Sequence, residues 1–599
     1  MFIYKKQGVF ISLVVILNIA ACSANNPLSD ESDGLSGVIT LLEINDLHAH
    51  LTAHTDIERA DSGTTRVVYR GGLARIATVI NQVREENPQT LVMNIGDTYH
   101  GGVEAAYTQG NAMVAPVNAL GIDVGVPGNW DFAYGPSVTR MRYTDTLDNI
   151  NSGANAIEKP NFPNLAANVT YTEPRHRAGQ PFLAPTMIKQ FGDIRVGLIG
   201  LTSDIVPRMH TFLATGLDFT QGEAAYKALV EKHANTLREQ GVHLVVLMSE
   251  LGIHKDYQLA NQLSSGTVDV IFSAHTHELT VAPLVSTGGI WVVEPGNDTT
   301  IGRLDVSFDR GEITDKQWQI INIDSTIAET PSVKKQVEEA RAPFLLASLS
   351  DPIRAPNSSL KLTQSIDTVL GVVHAGIDRR HSLINTFNAG YTQMLQNFTG
   401  TSVAMSPGFR FDAVVPGTAQ QYEDPAVVAG NMTIEDAYRF FPVPFTLSTA
   451  TVSGKRLTEV LESNLTAVYS PDTFDHSGGW FDGVSGLAMS LDLAGRDHQR
   501  VLDLQLTATG RPVLQDDIIS IAGCSRPFDQ ASETTLCSYD GFDAVIPLIN
   551  ESTGEPWNGV DFLIYGVQNH LFPDAITSLI TDQNQTALWP EQAFFQPLF

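Results

Sequence analysis

The stretch of sequence that indicates the fold class is Ile39-Thr-Leu-Leu-Glu-Ile-Asn-Asp-Leu-His-Ala-His50. Its first half, Ile39 to Ile44, is a short apolar run of the kind that forms a buried strand. Asp46 and His48 follow two residues apart, so a carboxylate and an imidazole at this strand end can face one cavity. Ligands in open α/β sheets bind at the carboxyl ends of the strands. The stretch therefore predicts an α/β domain with a polar site at a strand end.

The same pattern recurs along the chain as far as about Ile323. Short apolar runs alternate with amphipathic helical stretches, and most of the runs end in residues rich in Asp, His, Glu or Gly. These further runs are Leu91–Ile95, Val196–Leu201, Leu244–Ser249 and Val268–Ser273. The alternation predicts α/β layering.

Three later clusters carry candidate metal ligands. The clusters are Gly96-Asp97-Thr-Tyr-His100, Gly128-Asn129-Trp-Asp-Phe132 and Ala274-His275-Thr-His277. A single Asp or His at a strand end is more often a turn cap or a surface residue than a ligand. Four clusters in one region, mostly after predicted strands, indicate a metal site instead. Carboxylates and imidazoles suit Zn, Mn or Fe.

Composition excludes several other functions. The formal net charge of -29 repels polyphosphate backbones, and no Lys/Arg stripe is present that could bind a nucleic-acid polymer. No apolar run of membrane-spanning length follows the N-terminus. With 43% hydrophobic and 17% charged residues, the body of the chain is typical of a globular protein.

The N-terminus is typical of an export signal. Lys5 and Lys6 precede the apolar stretch Val9–Ile19, and small residues lead to Cys22. The ending Ile19-Ala-Ala-Cys22 resembles the bacterial lipobox, which predicts lipidation of Cys22 and anchoring in the cell envelope, facing the periplasm or the exterior. The alternative is an ordinary cleaved signal with an incidental cysteine. Residues 23–37 are expected to form a flexible tether.

The only other cysteines are Cys524 and Cys537. In an oxidising compartment, two cysteines this close in sequence favour a loop-closing disulfide over a metal pair.

The chain is expected to divide into two domains. Residues 1–22 form the leader and 38–325 the α/β domain. Residues 326–351 are rich in Lys, Glu and Ala, which predicts a solvated linker helix. Residues 352–599 are punctuated by Gly, Pro and Asn, which predicts a second, α+β domain.

The ordered clusters resemble the motifs of the calcineurin-like metallophosphoesterases, and specifically of the 5'-nucleotidase family. Supporting stretches are Gly71–Arg75, Asn164–Asn168, Val196–Leu201 and Ile301–Asp305. The resemblance implies a four-layer metallophosphoesterase sandwich, a linker helix and a smaller α+β substrate-binding domain.

By that resemblance, seven positions would hold two divalent metal ions, Mn, Zn or similar. Asp46, His48, Asp97 and His277 would form one site, and Asp97 would bridge to a second site containing Asn129 and His275. Two ions can acidify a water molecule and neutralise a developing oxyanion, with Asn129 also holding substrate oxygens. The seventh position, Glu250, departs from the family pattern.

Glu250 stands where the family usually carries a ligating His. A carboxylate would harden the ligand set and favour Mn or Mg relative to Zn. The alternatives are that Glu250 is a solvated loop residue, or that His254 supplies the ligand instead.

A second departure concerns the His/Asp pair that assists the transition state in the family. Trp130 and Ala133 occupy these positions. Either His100 or His50 takes over the electrostatic role, or the substrate has a good leaving group. The alternative for both histidines is packing or hydrogen bonding behind the ligands.

By the same resemblance, three residues of the second domain are candidates for substrate binding. Arg410, in Ser406-Pro-Gly-Phe-Arg-Phe411, would contact the substrate anion, with a surface or interdomain salt bridge as the alternative. Trp480 or Phe481 would stack on a nucleobase, with core packing as the alternative.

The sequence therefore favours an exported, dimetal-dependent phosphomonoester hydrolase acting on a small phosphate ester, expected to be a nucleotide. The Trp130 segment, with Ser406–Phe411, is also similar to the thiosulfohydrolases of sulfur oxidation, which cleave an S-sulfonate on a carrier protein. A third hypothesis is a degenerate domain that binds metal or ligand without turnover.

Overall fold

The structure is a computed structural model that describes residues 35–599 apart from 60–64, 154, 173–176, 346–350, 357, 359, 374–385, 408–413, 416, 419–420, 424–426, 444, 478–480, 526–533, 574–578, 584–594 and 597–599. The expectations for Cys22, Arg410 and Trp480 lie outside the described residues. Among the helices that are described, none combines the length and apolarity needed to cross a bilayer.

The N-terminal half alternates strands and helices. In chain order its elements are β1 (Gly37–Asn45), β2 (Ala53–Arg59), β3 (Thr65–Gly71), α1 (Leu73–Glu86), β4 (Thr90–Ile95), α2 (Val103–Thr108), α3 (Asn111–Asn118), β5 (Val124–Val126), α4 (Pro136–Tyr143), β6 (Val169–Tyr171), β7 (Thr186–Phe191), β8 (Ile194–Leu201), α5 (Val206–Met209), β9 (Leu217–Phe219), α6 (Glu223–Glu239), β10 (Leu244–Ser249), α7 (Ile253–Gln262), β11 (Val270–Ser273), β12 (Leu284–Val285), β13 (Trp291–Val293), β14 (Thr300–Asp309), β15 (Glu312–Asn322) and α8 (Pro331–Arg341).

Two sheets pack face to face in this half. Their strand orders are β15-β14-β1-β4-β5 and β12-β13-β11-β10-β8-β7. The core between them includes Leu41, Met93, Leu198, Val246 and Phe272. Helices α1, α3 and α8 cover the outer face of the first sheet, and α6 and α7 cover that of the second. The four-layer α/β sandwich predicted from the sequence is confirmed.

The central strands of both sheets run parallel to their neighbours. In the first sheet β1 pairs with β4, and β4 with β5. In the second sheet β8, β10, β11 and β13 pair in parallel. Carboxyl ends of parallel strands lie at one edge of a sheet, so the segments that follow these strands can meet in one place.

The C-terminal half forms the α+β domain. Its elements are β16 (Ile353–Arg354), β17 (Lys361–Leu362), β18 (Val369–Val373), α9 (Thr386–Thr399), β19 (Val403–Ser406), β20 (Asn431–Thr433), α10 (Ile434–Phe440), β21 (Thr446–Ser453), α11 (Gly454–Tyr469), β22 (Gly483–Ser485), β23 (Leu487–Leu491), β24 (Val501–Leu506), β25 (Arg511–Pro512), β26 (Ile518–Ser525), β27 (Asp543–Pro547), α12 (Gly559–Gln568), β28 (Leu579–Asp582) and β29 (Phe595–Gln596). Its sheets are β22-β19-β26-β21-β27, β25-β24-β23-β28, β20-β18-β29 and the two-stranded β16-β17.

The helix expected as a solvated linker is α8, and one of its faces is buried. Val333 and Val337 belong to the core cluster that also holds side chains of α1 and α3. At the end of the helix, Arg341 lies 2.8 Å from the Glu104 carboxylate and donates two hydrogen bonds to Glu435 at 2.9 and 2.8 Å. Because Glu104 belongs to the first domain and Glu435 to the second, Arg341 bridges the two.

The disulfide expected between Cys524 and Cys537 is not formed in this structure. Both side chains are buried, and their Sγ atoms lie 3.9 Å apart. A disulfide requires a separation of about 2.05 Å. The two thiols are neighbours, and their pairing in an oxidising compartment stays a prediction.

We expect Arg341→Ala to lower the urea midpoint of unfolding, by an amount equivalent to about 3 kcal/mol or more, because it leaves the buried Glu104 without its cation. The measurement is equilibrium unfolding of the full chain. The matched control is Lys335→Ala on the same helix, whose partner Glu339 is exposed, and its midpoint should stay unchanged. Equal midpoints for the two variants would contradict the bridging role of Arg341.

Candidate metal centre

The expected metal ligands all follow strands of the two facing sheets. Asp46 and His48 follow β1, Asp97 follows β4, and Asn129 lies three residues beyond β5. On the other sheet Glu250 follows β10, and His275 and His277 follow β11. The fold thus brings together side chains that are up to 231 positions apart, from Asp46 to His277.

The backbone is strained at most of these positions. Five of the seven residues have positive φ although none is glycine: Asp46 at 46°, His48 at 41°, Asp97 at 41°, His275 at 84° and His277 at 55°. Such conformations cost on the order of 1–2 kcal/mol each for L-residues. Strain of this kind concentrates at functional sites, because the surrounding structure must enforce it.

The first group of ligand atoms comes from Asp46, His48 and His277, which all lie within 4.8 Å of one another. His48 Nε2 lies 3.0 Å from His277 Nε2, and His277 Nε2 lies 3.3 Å from Asp46 Oδ1. His48 Nε2 also lies 3.7 Å from Asp97 Oδ2. Ligands of a tetrahedral ion with bonds of about 2.0–2.1 Å lie roughly 3.3 Å apart, so these spacings suit one ion.

The second group consists of Asp97, Glu250 and His275, again within 4.8 Å of one another. The His275 Nδ1 atom lies 3.8 Å from Glu250 Oε1. Asp97 therefore faces both groups, as a bridging carboxylate must. Glu250 is 0% exposed, so the alternative of a solvated loop residue does not hold. His254, the other candidate ligand, is exposed, with its ring near that of His476.

Asn129 is buried beside these groups. Its Nδ2 donates to Met209 Sδ at 3.4 Å. Its Oδ1 has no hydrogen-bond donor in the described part of the chain, and the same holds for Asp46 Oδ1 and for both carboxylate oxygens of Glu250. Buried polar oxygens without donors are costly unless a cation compensates them. The donor set therefore fits divalent cations.

The electrostatics agree with that assignment. Burial, together with the charges of Asp46 and Asp97, raises the pKa of Glu250 well above its usual value. Burial and the Asp46 charge do the same for the pKa of Asp97. Burial lowers the pKa of His48 to about 4, which keeps the imidazole in the neutral form that binds metal. A pair of divalent cations would stabilise the ionised carboxylates.

Contacts around the ligands fix their orientation. The Nδ1 atom of His48 faces the His100 carbonyl oxygen at 3.4 Å, which leaves Nε2 directed at the ligand group. Asp131 accepts hydrogen bonds from the backbone N–H groups of Thr98, Tyr99 and Gly128 at 3.1, 2.9 and 3.0 Å. Asp131 lies within the cluster Gly128–Phe132, but only the structure shows that it joins two ligand loops.

The two histidines proposed for catalysis occupy different environments. His100 is buried against Trp130, with ring centroids 5.0 Å apart, and against Tyr134 at 4.7 Å. It adjoins the first group through its carbonyl oxygen. His50 lies 3.2 Å from Asp298 and belongs to neither ligand group.

A cavity of about 230 Å³ lies between the two domains. Arg208 and Met209 of the first domain line it, together with Asn464, Asp482 and Tyr539 of the second. Because Met209 also contacts Asn129, the cavity adjoins the candidate metal centre. No motif in the sequence pointed to Arg208.

Phe481 does not line this cavity. It is 2% exposed and packs in the hydrophobic core of the second domain, which corresponds to the packing alternative for that residue. Its burial leaves no free ring face for stacking on a base.

Comparison with known families agrees with the fold and the site. Residues 39–279 match the calcineurin-like phosphoesterases, and residues 376–524 match the 5'-nucleotidase C-terminal domain. All seven candidate ligands lie within the first match. The chain therefore belongs to the calcineurin-like phosphoesterases that carry a 5'-nucleotidase C-terminal domain.

One similar protein is the trifunctional nucleotide phosphoesterase YfkN of Bacillus subtilis, which is 24% identical over 497 residues. The match covers 78% of this chain but 30% of the Bacillus protein. This chain thus spans less than a third of that relative's length.

Two solved structures from Thermus thermophilus share the fold. The sulfate thiohydrolase SoxB has a TM-score of 0.70 at 18% identity, covering 92% of this chain and 98% of that one. A 5'-nucleotidase precursor has a TM-score of 0.67 at 18% identity, covering 92% and 100%. At this identity the likeness concerns the fold alone.

We expect Gly96→Ala to disrupt the second ligand group, because a Cβ at this position would overlap the Glu250 carboxylate. The matched control is Gly222→Ala. Both glycines have positive φ, 75° and 82°, but no atom lies within 4 Å of a Cβ at Gly222. Metal content measured by plasma mass spectrometry should fall in Gly96→Ala and remain at the wild-type value in Gly222→Ala. Equal metal contents would show that Glu250 is dispensable.

Proposed function

We propose that this chain is an exported, dimetal-dependent phosphomonoester hydrolase that acts on nucleotides. The observation that supports it best is the pair of ligand groups at the meeting point of the two facing sheets, with Asp97 of the second group 3.7 Å from His48 of the first. A bridging carboxylate between two N/O ligand groups is the arrangement used for water-driven displacement at phosphorus.

In this proposal Asp46, His48 and His277 would hold one ion and Glu250, His275 and Asn129 the other, with Asp97 as a ligand available to both. When bound, the two divalent cations would lower the pKa of a water molecule and neutralise charge on the phosphoryl oxygens. Because Glu250 adds a carboxylate where an imidazole is usual, the second group favours harder ions such as Mn.

The remaining residues position the ligands. Asp131 fixes the loops that carry Asp97 and Asn129 through its three backbone hydrogen bonds. The His100 carbonyl sets the ring orientation of His48. The buried site limits access of bulk water, which strengthens each electrostatic contact.

The interdomain cavity supports a substrate larger than phosphate. The cavity lies next to the ligand groups, since Met209 lines the cavity and also contacts Asn129. Arg208 lines this cavity while its guanidinium is held by Asp204 at 3.2 Å, and in this proposal it would also contact a phosphate group of the substrate. A nucleoside in this cavity would agree with the name of the Bacillus relative, a nucleotide phosphoesterase.

Export and anchoring are part of the proposal. They rest on the lipobox-like Ile19-Ala-Ala-Cys22 at the end of the apolar N-terminal stretch. Lipidation at Cys22 would place the enzyme in the cell envelope, where released nucleoside and phosphate can be taken up.

We expect Asp97→Ala to reduce metal-dependent phosphate release from a nucleoside monophosphate by more than about 100-fold, since loss of the bridge removes several kcal/mol of transition-state stabilisation. The measurement is phosphate release by the purified full chain loaded with Mn. Asp193→Ala, at an exposed turn, is the control and should retain full activity. Undiminished activity in Asp97→Ala would rule out the proposed centre.

The thiosulfohydrolase reading predicts a different product. It is favoured by Trp130 and Ala133 at the positions of the usual His/Asp pair. A panel of nucleoside phosphates, sugar phosphates and S-sulfocysteine compounds separates the two. We expect phosphate release from the nucleoside phosphates; sulfate release alone would assign the chain to the sulfur branch, and no release with both metals bound would indicate a degenerate binding protein.

A further inference from the structure

A third cluster of ligating side chains lies outside the two groups of the candidate metal centre. It consists of His50, His54 and Asp298, whose ring nitrogens and carboxylate oxygens lie within 4.8 Å of one another. All three side chains are buried. They come from the loop after β1, from β2, and from the turn before β14, and His54 and Asp298 are 244 positions apart. The cluster is therefore a product of the tertiary fold.

The distances within the cluster suit a single small cation. The Nε2 atom of His54 lies 2.9 Å from Asp298 Oδ2 and 3.2 Å from Oδ1. His50 Nδ1 lies 3.2 Å from Asp298 Oδ1. Ligands of a tetrahedral ion lie roughly 3.3 Å apart, so the cluster needs only a small expansion to hold one.

The hydrogen bonding of His54 calls for a cation at this place. Its Nδ1 lies 3.1 Å from the Thr55 carbonyl oxygen, which can only accept a hydrogen bond, so Nδ1 carries a proton. In the neutral imidazole Nε2 then presents a lone pair to the Asp298 carboxylate, which is also an acceptor. Two acceptors in contact require either a second proton or a metal ion between them. A ring N–H donated to a backbone carbonyl is the usual arrangement of a metal-ligating histidine.

Carboxylates near the cluster compensate the nearest positive charge, and a cavity gives access to the cluster. Asp298 acts on both His50 and His54, and Arg439 is a nearby positive charge that acts on both in the opposite direction. Its guanidinium lies 3.3 Å from Glu435 and 3.5 Å from Asp436, which compensate it. His54 also lines a cavity of about 360 Å³, which gives an ion a route of entry and gives water a fourth ligand position.

We propose that His50, His54 and Asp298 form a third divalent metal site, of the kind that takes Zn²⁺, separate from the candidate dimetal centre. An ion there fixes the position of His50, two residues after His48, relative to the β2–β3 hairpin. That hairpin hydrogen-bonds the second domain through Val67, whose N–H donates to Gln421 at 2.7 Å and whose carbonyl accepts from Glu423 at 2.9 Å. The site is thus structural, and it does not depend on the proposed activity.

The test is metal content of the purified full chain after chelation and re-equilibration with buffered Zn²⁺, together with anomalous diffraction at the zinc edge. We expect about three equivalents per chain, falling to about two in Asp298→Asn, because a ligand charge is lost. His476→Gln, at a partly buried histidine outside the cluster, should keep the wild-type content. Asp97→Ala should retain the anomalous peak between His50, His54 and Asp298, which separates this site from the dimetal centre.

Anomalous diffraction from wild-type crystals tests the site independently of how the variants fold. An anomalous peak between the three side chains supports the site. A wild-type content of about two equivalents with no such peak would overturn it and leave a second proton on His54 as the bridging cation.

Discussion

Three carboxylates, those of Asp46, Asp97 and Glu250, are buried within one small volume at the meeting point of two sheets, together with three imidazoles. Burial, together with the charges of neighbouring carboxylates, raises the pKa of Asp97 and Glu250 well above the usual range, so both carboxyl groups resist ionisation unless cations are present. The parallel strands, the positive φ angles at ligand positions and the close approach of Gly96 to Glu250 all serve to hold these charges together. The stability and the chemistry of the N-terminal domain therefore depend on the same charge compensation.

The fold class and most of the centre could be predicted from the sequence because each ligand lies next to its own strand. Asp46, His48 and Asp97 follow apolar runs directly, so local pattern was enough to place them at strand ends. Membership of the predicted family then followed from the order of the clusters and is confirmed by the two family matches. The strand that precedes Glu250 could also be predicted from the sequence. Whether the Glu250 carboxylate faces solvent or the other ligands depends on the opposite sheet.

The features that sequence reasoning missed depend on contacts across long stretches of chain. The cavity residue Arg208 meets Asn464 and Tyr539 only when the two domains pack together. His50 was considered as a replacement for the missing His/Asp pair, yet its partner is Asp298, which no local pattern joined to it. Phe481 lies beside Gly-rich sequence that is typical of a loop, but its ring is buried in the core. Side-chain direction at such positions is set by tertiary packing.

The most direct test of the dimetal centre is electron paramagnetic resonance of the full chain loaded with two equivalents of Mn²⁺. The account predicts an exchange-coupled spectrum, because a shared Asp97 carboxylate would hold two ions about 4 Å apart. The coupling should disappear in Asp97→Ala. A spectrum of isolated, uncoupled Mn²⁺ in the wild-type chain would contradict the account.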